Sequence, residues 1–193
     1  MAIRSWIAYQ VAFFRNLVKI KIMKNIVLSG FMGTGKSVVG RCLARLTGSS
    51  FLDLDEVIEG EAGLTVPAIF ASMGEARFRE MEANVVKRLC AGEFGDGLVV
   101  STGGGAVVDP ALRAALKSWG VLVCLTASVD EILRRVGRRE GRPLLNGPDP
   151  RGRVERLLEE RKASYSDCHL ELDTTALGIE EAAIKIREFA GAR

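Results

Sequence analysis

The run Gly30-Phe31-Met32-Gly33-Thr34-Gly35-Lys36-Ser37 has the residue types and spacing to hold a polyphosphate. It fits the pattern G-x-x-x-x-G-K-[ST]. Glycines let the backbone close around phosphates with N–H groups turned inward, and the following helix adds the positive end of its dipole. In this geometry Lys36 reaches the outer phosphates and the Ser37 hydroxyl ligates Mg²⁺. The pattern needs a strand before it and a helix after it. Residues 25–29 read as a short apolar strand, and residues 38–46 carry apolar groups at helical spacing. A mere glycine-rich turn would not explain strand, loop and helix together. The motif implies a nucleotide site but not yet a reaction.

Other residues supply candidates for that reaction. In Ser50-Phe51-Leu52-Asp53-Leu54-Asp55 two acids alternate with apolar residues. Read as one strand, the stretch puts both acids on the same face at its C-terminal end, where open α/β sheets bind ligands. A strand-to-helix cap would explain Asp55 alone. Two acids beside a nucleotide site are better explained by Mg²⁺ and a substrate hydroxyl. The apolar strand at 98–102 ends in three glycines, Gly103-Gly104-Gly105, rather than in an acid. That leaves Asp53 as the best candidate for the Mg²⁺ shell, and the glycines allow backbone N–H groups to approach a ligand. Arg79 lies next to Phe78 and one helical turn from Glu82, with which it can pair; a solvated helix face is the simpler reading of this charged stretch. Arg134, Arg135, Arg138, Arg139 and Arg142 precede a loop rich in glycine and proline, and such a basic loop suits a lid closing on phosphates.

The elements that position these residues alternate along the chain. Strand-like runs at 50–55, 98–102, 121–125 and 169–173 follow the first strand, with helical stretches between them. Gly60, Gly63 and Pro67 are expected to break the region 56–72 into short helical pieces, and Gly74 to open a longer helix with Phe78, Met81, Val85 and Leu89 on its buried stripe. Asp109-Pro110 and Ser128 each start a helix. The pattern predicts one doubly wound, three-layer α/β domain on a five-stranded parallel sheet.

Composition excludes several classes. The chain has 193 residues, 48% apolar and 26% charged, as in a soluble globular domain. Its formal charge of +3 belongs to the first 22 residues, which hold Arg4, Arg15, Lys19 and Lys21 and no acid. Setting those four aside leaves 23 of the 27 bases against 24 acids. Nucleic-acid binding is therefore not expected. Residues 1–22 could form an amphipathic surface helix, but they are too short and charged to span a bilayer and lack clear targeting features. They are read as an N-terminal extension, with Met23 a natural start for the domain. Cys42, Cys90, Cys124 and Cys168 are widely spaced, which points to reduced thiols in a cytoplasmic protein rather than a disulfide framework or zinc site. The sole histidine, His169, reads as a strand-edge residue.

Six stretches in order resemble the shikimate kinases, a P-loop group with a nucleoside-monophosphate-kinase-like fold. They are the phosphate loop, Phe51-Leu52-Asp53-Leu54-Asp55, Ile69-Phe70 with Gly74-Glu75 and Phe78-Arg79, the triple glycine, Arg142-Pro143-Leu144, and Arg161-Lys162-Ala163-Ser164-Tyr165. The resemblance covers the chain from Met23 nearly to the end and implies a domain over 23–193 with a mobile lid at about 137–150. It implies transfer of the γ-phosphoryl group of ATP to the 3-hydroxyl of shikimate, with Mg²⁺ as cofactor, in a cytoplasmic monomer without stable membrane association. By carry-over, Asp55, Arg79, Gly104 and Arg161 hold shikimate, and Asp55 also orients or deprotonates the attacking hydroxyl. Arg79 and Arg161 clamp the carboxylate, and Glu82 steadies Arg79. Gly33, Thr34, Gly35, Lys36, Ser37, Val38, Arg135 and Arg142 serve ATP. Lys36 and Arg142 stabilise the transferring group, and Ser37 and Asp53 serve the metal. Some members carry an arginine where Leu177 stands here. The neighbouring alternatives are a gluconate kinase and a non-catalytic ATP-binding regulator on the same fold.

Overall fold

A computed structural model describes residues 24–137 and 149–192. The extension at 1–22, the reading of Met23 as a start, Arg142 and most of the expected lid lie outside the described residues. Five strands form one parallel sheet in the order β2-β3-β1-β4-β5: β1 (Ile26–Gly30), β2 (Ser50–Asp53), β3 (Leu98–Ser101), β4 (Val121–Thr126) and β5 (Leu170–Asp173). The helices are α1 (Lys36–Thr47), α2 (Leu54–Ala62), α3 (Val66–Cys90), α4 (Pro110–Trp119), α5 (Val129–Val136), α6 (Pro150–Ser166) and α7 (Ile179–Gly191), with a 3₁₀ turn at Ala106–Val108. The expected doubly wound architecture is found.

The sheet is apolar on both faces, as buried parallel strands must be. Along β1, Val27 packs into one core while Ile26 and Leu28 pack into the other. The same alternation splits Leu122 and Cys124 from Val121, Val123 and Leu125 on β4. One layer is built on α1 and α7 through Val39, Leu43, Ala183 and Ile186. The opposite layer gathers α2, α3, α4 and α6 through Ile58, Phe78, Leu116 and Val154. Parallel order brings the C-terminal ends of β1, β2 and β3 to one edge, and the phosphate loop, the acids and the triple glycine meet there.

Three local expectations change. The second strand stops at Asp53, and Asp55 belongs to the first turn of α2. The two acids therefore do not share a strand face. Asp53 is the N-cap: its Oδ1 accepts from the Asp55 N–H at 3.2 Å, which satisfies an amide that no helical carbonyl can reach. Gly60 does not break α2, which runs on to a left-handed cap at Gly63; burial of Leu54 and Ile58 offsets the roughly 1 kcal/mol that one internal glycine costs. Pro67 starts α3 in its first turn rather than ending a helix. Gly74 acts as expected. With φ 81° and ψ 168° it interrupts α3, and the helix resumes from there to Cys90. His169 is tied into the sheet edge: its N–H donates to the Leu122 carbonyl at 2.8 Å, and its Nδ1 accepts from the Leu122 N–H at 3.0 Å.

Candidate active site

The phosphate loop joins β1 to α1. Gly35 precedes Lys36 with φ 98°, a left-handed turn that aims the first free amides of α1 into the cleft. Thr34 is buried, its hydroxyl donating to the Phe31 carbonyl at 2.8 Å, so it shapes the loop from inside. Lys36 donates to the Gly30 and Phe31 carbonyls at 2.9 and 3.0 Å, which holds its ammonium over the loop mouth. Ser37 Oγ donates to Asp53 Oδ2 at 2.8 Å. A hydroxyl and a carboxylate thus stand together beside the phosphate cradle, an all-oxygen donor set that fits Mg²⁺. A cleft of about 920 Å³ contains this loop, Asp53, Asp55, Gly104 and Arg135.

Arg135 closes one wall. Its Nε donates to Glu131 at 2.6 Å, Nη1 to the Gly33 carbonyl at 3.2 Å and Nη2 to the Thr174 carbonyl at 2.7 Å. The Thr174 hydroxyl lies 2.9 Å from both the Thr34 and Thr126 carbonyls. Thr174 and Glu131 brace the nucleotide side, and sequence reasoning missed both: a threonine after a strand carries no distinguishing spacing, whereas the spacing of Glu131 four residues before Arg135 was the available signal. Val38 lines the same cleft from the exposed side of α1, and Leu177 lines it near Thr175.

The acceptor side is built around buried acids and two arginines. Asp55 Oδ1 and Glu82 Oε1 are buried with no hydrogen-bond partner among the described residues. Both face Gly103, where a Cβ would stand 2.8 Å from the first and 2.7 Å from the second. Burial pushes the Asp55 carboxyl up from its ordinary 3.8 to about 6, the nearby Asp53 charge adds to the rise, and Lys36 opposes it. Burial likewise raises Glu82, against the pull of the Arg79 guanidinium. Arg79 Nη1 donates to Glu82 Oε2 at 2.7 Å and Nη2 to Glu75 at 3.0 Å, with the Phe78 ring 5.3 Å from its guanidinium carbon. Across the triple glycine, Arg161 Nη1 donates to the Gly104 carbonyl at 3.3 Å and stands 5.9 Å from the centre of the Phe31 ring. Asp55 and Gly104 thus line the cleft with the phosphate loop, and two planar cations adjoin the glycines, Arg161 at Gly104 and Arg79 at Gly105. Tyr165, quoted in the sequence only as part of a motif, donates to the Gly104 carbonyl at 2.7 Å.

The protein-family model described as shikimate kinase matches residues 32–190. This chain belongs to the shikimate kinase family. It is similar to the shikimate kinase of Pelotomaculum thermopropionicum, 45% identical over 167 residues that span 86% of this chain and 95% of the relative. It is also similar to that of Geobacter metallireducens, 41% identical over 172 residues, 89% of this chain and 94% of the relative. Among solved structures, the shikimate kinase from Acinetobacter baumannii in complex with shikimate aligns with a TM-score of 0.82 at 37% identity, covering 88% of this chain and 94% of that one. Family membership agrees with the P-loop kinase architecture. No described helix is long and apolar enough to cross a membrane.

Proposed function

We propose that the protein transfers the γ-phosphoryl group of ATP to the 3-hydroxyl of shikimate, giving shikimate 3-phosphate and ADP. The observation that carries the reading is Asp55 Oδ1, a buried acceptor with no hydrogen-bond partner among the described residues, placed beside the phosphate loop and the arginine-flanked triple glycine. A hydroxyl of the acceptor satisfies that oxygen. Arg79 and Arg161 then receive the acceptor's carboxylate, which planar guanidinium groups bind well. A gluconate kinase does not require this set of paired acid, two arginines and three glycines. A regulator without activity would be expected to lose Lys36, Asp55 or a substrate arginine, and all are present.

In the reaction the 3-hydroxyl oxygen forms a bond to the γ-phosphorus while the bond from that phosphorus to the bridging oxygen of ADP breaks. The hydroxyl proton passes to Asp55, whose raised pKa keeps it an effective acceptor near neutral pH. Lys36 and the loop amides stabilise the charge that spreads over the transferring group, which is where most of the catalysis in phosphoryl transfer lies. Arg142, outside the described residues, is proposed to add a further positive charge. Ser37, with Asp53 acting through water, would hold Mg²⁺, which neutralises phosphate charge when bound. The chain acts as a cytoplasmic monomer on this reading. NMR of the product of a reaction with Mg-ATP and shikimate tests it: phosphorus coupled to the proton at carbon 3 is expected, and phosphate at another position, or none transferred, would overturn it.

A further inference from the structure

The triple glycine poses a physical problem for a substrate loop. Three consecutive glycines have the greatest backbone freedom available, so the loop has to be held by its surroundings. Two of the three carbonyls are fixed locally: Gly103 accepts from the Ala106 N–H at 3.3 Å and Gly105 from the Val108 N–H at 3.0 Å. The Gly104 carbonyl instead accepts from two side chains of α6, Arg161 at 3.3 Å and Tyr165 at 2.7 Å. These donors are not equivalent. Arg161 is longer in its contact and has its charge available to an anionic ligand. Tyr165 is 6% exposed, packed in the core beneath the loop, and holds the shorter bond. Its phenol is pushed up from its usual range by burial, so it remains a donor throughout the physiological pH range.

We propose that Tyr165 is a positioning residue for the acceptor: its O–H fixes the Gly104 carbonyl, and with it the plane of the Gly104–Gly105 peptide, while Arg161 turns to the ligand. The inference rests on the proposed acceptor site. At the next residue the guanidinium of Arg79 occupies the space a side chain at Gly105 would take, with Nη1 2.3 Å from the Cβ position. Tyr165 at Gly104 and Arg79 at Gly105 therefore contact successive residues of one glycine backbone, and Arg161 shares the Gly104 carbonyl with Tyr165.

Tyr165→Phe tests this, since phenylalanine fills the same space and removes only the donor. The shikimate KM is expected to rise about tenfold as the unfixed glycine peptide misplaces the acceptor contacts, with the ATP KM nearly unchanged and the thermal midpoint lowered by only a few degrees through loss of the bond. A shikimate KM within twofold of the parent would overturn the proposal. So would a parallel rise in both KM values with a fall in midpoint, which would mark a structural role alone. The parent protein, assayed beside it, keeps the two readings apart: absence of shikimate turnover there removes the acceptor site itself, and the positioning role with it.

Discussion

On the nucleotide side of the cleft, Gly33, Thr34, Gly35, Lys36 and Ser37 are consecutive and work largely through backbone groups at the start of α1. On the acceptor side, Asp55, Arg79, Gly104 and Arg161 come from α2, α3, the loop after β3, and α6. The first region needs one local turn to be correct. The second needs four segments to pack in register, and its precision comes from contacts within and between them: Arg79 with the buried Glu82 along α3, and Tyr165 of α6 with the Gly104 carbonyl. Damage to the first should stop chemistry, whereas damage to the second should be graded and felt in acceptor binding.

The largest effect is expected for Lys36→Ala, which should lower kcat by about 10³-fold or more, because a charge placed at the transferring group is removed. Near-parental turnover would separate the loop from catalysis. Asp55→Asn should cut kcat by roughly 10²–10³-fold with ATP affinity retained, measured by nucleotide titration. Arg161→Ala is expected to raise the shikimate KM by about 10²-fold through loss of a charge-assisted carboxylate contact, with little change for ATP. A defect confined to ATP would reverse the assignment of the two sides. Gly105→Ala should be milder, a rise of about tenfold in shikimate KM as the new methyl displaces the flexible end of Arg79, with the fold intact.

Asp55 also makes a pH prediction that spans both regions. Its carboxyl titrates at about 6 in the folded protein against an ordinary 3.8, so the folded state binds that proton more tightly. Its contribution to stability is therefore greatest below 3.8 and is lost as pH rises through 6. Asp55→Asn should then be more stable than the parent at pH 8, by about 3 kcal/mol, with the gap shrinking toward pH 4 in denaturant titrations. Activity runs the other way: kcat/KM of the parent for shikimate should fall below pH 6, where the carboxyl becomes protonated and can no longer accept a proton. A profile flat from pH 5 to 8 would argue against Asp55 as the proton acceptor.

The contrast between the regions also governs how much could be read from the sequence. Strand, loop and helix around Lys36 were legible because the motif is contiguous and its spacing is dictated by phosphate geometry. The five-stranded parallel sheet followed from apolar runs alternating with helical patterns, while its strand order came from the structure. Asp53 was rightly expected near Ser37, but for an incomplete reason: alternation suggested a shared strand face, while the capping preference of aspartate ended the strand and started α2. Gly60 and Pro67 were misjudged because their local preferences are weak beside burial and beside proline's fitness for a first helical turn. Thr174 and the role of Tyr165 are invisible in the sequence because each depends on a partner far away along the chain, 140 residues in the case of Thr174 and Thr34, whereas Glu131 pairs with Arg135 only one helical turn away. The acceptor residues are legible through family resemblance, and the pairing of Arg79 with Glu82, expected from their spacing of one helical turn, is found.

The central claim is tested most directly by ADP release from the parent protein with Mg-ATP, offering shikimate, gluconate or no acceptor in parallel. Turnover with shikimate alone is the predicted result. Turnover with gluconate instead would preserve the phosphate-loop chemistry and overturn the roles of Arg79 and Arg161, and silence with all three in a protein that binds ATP would contradict the account altogether.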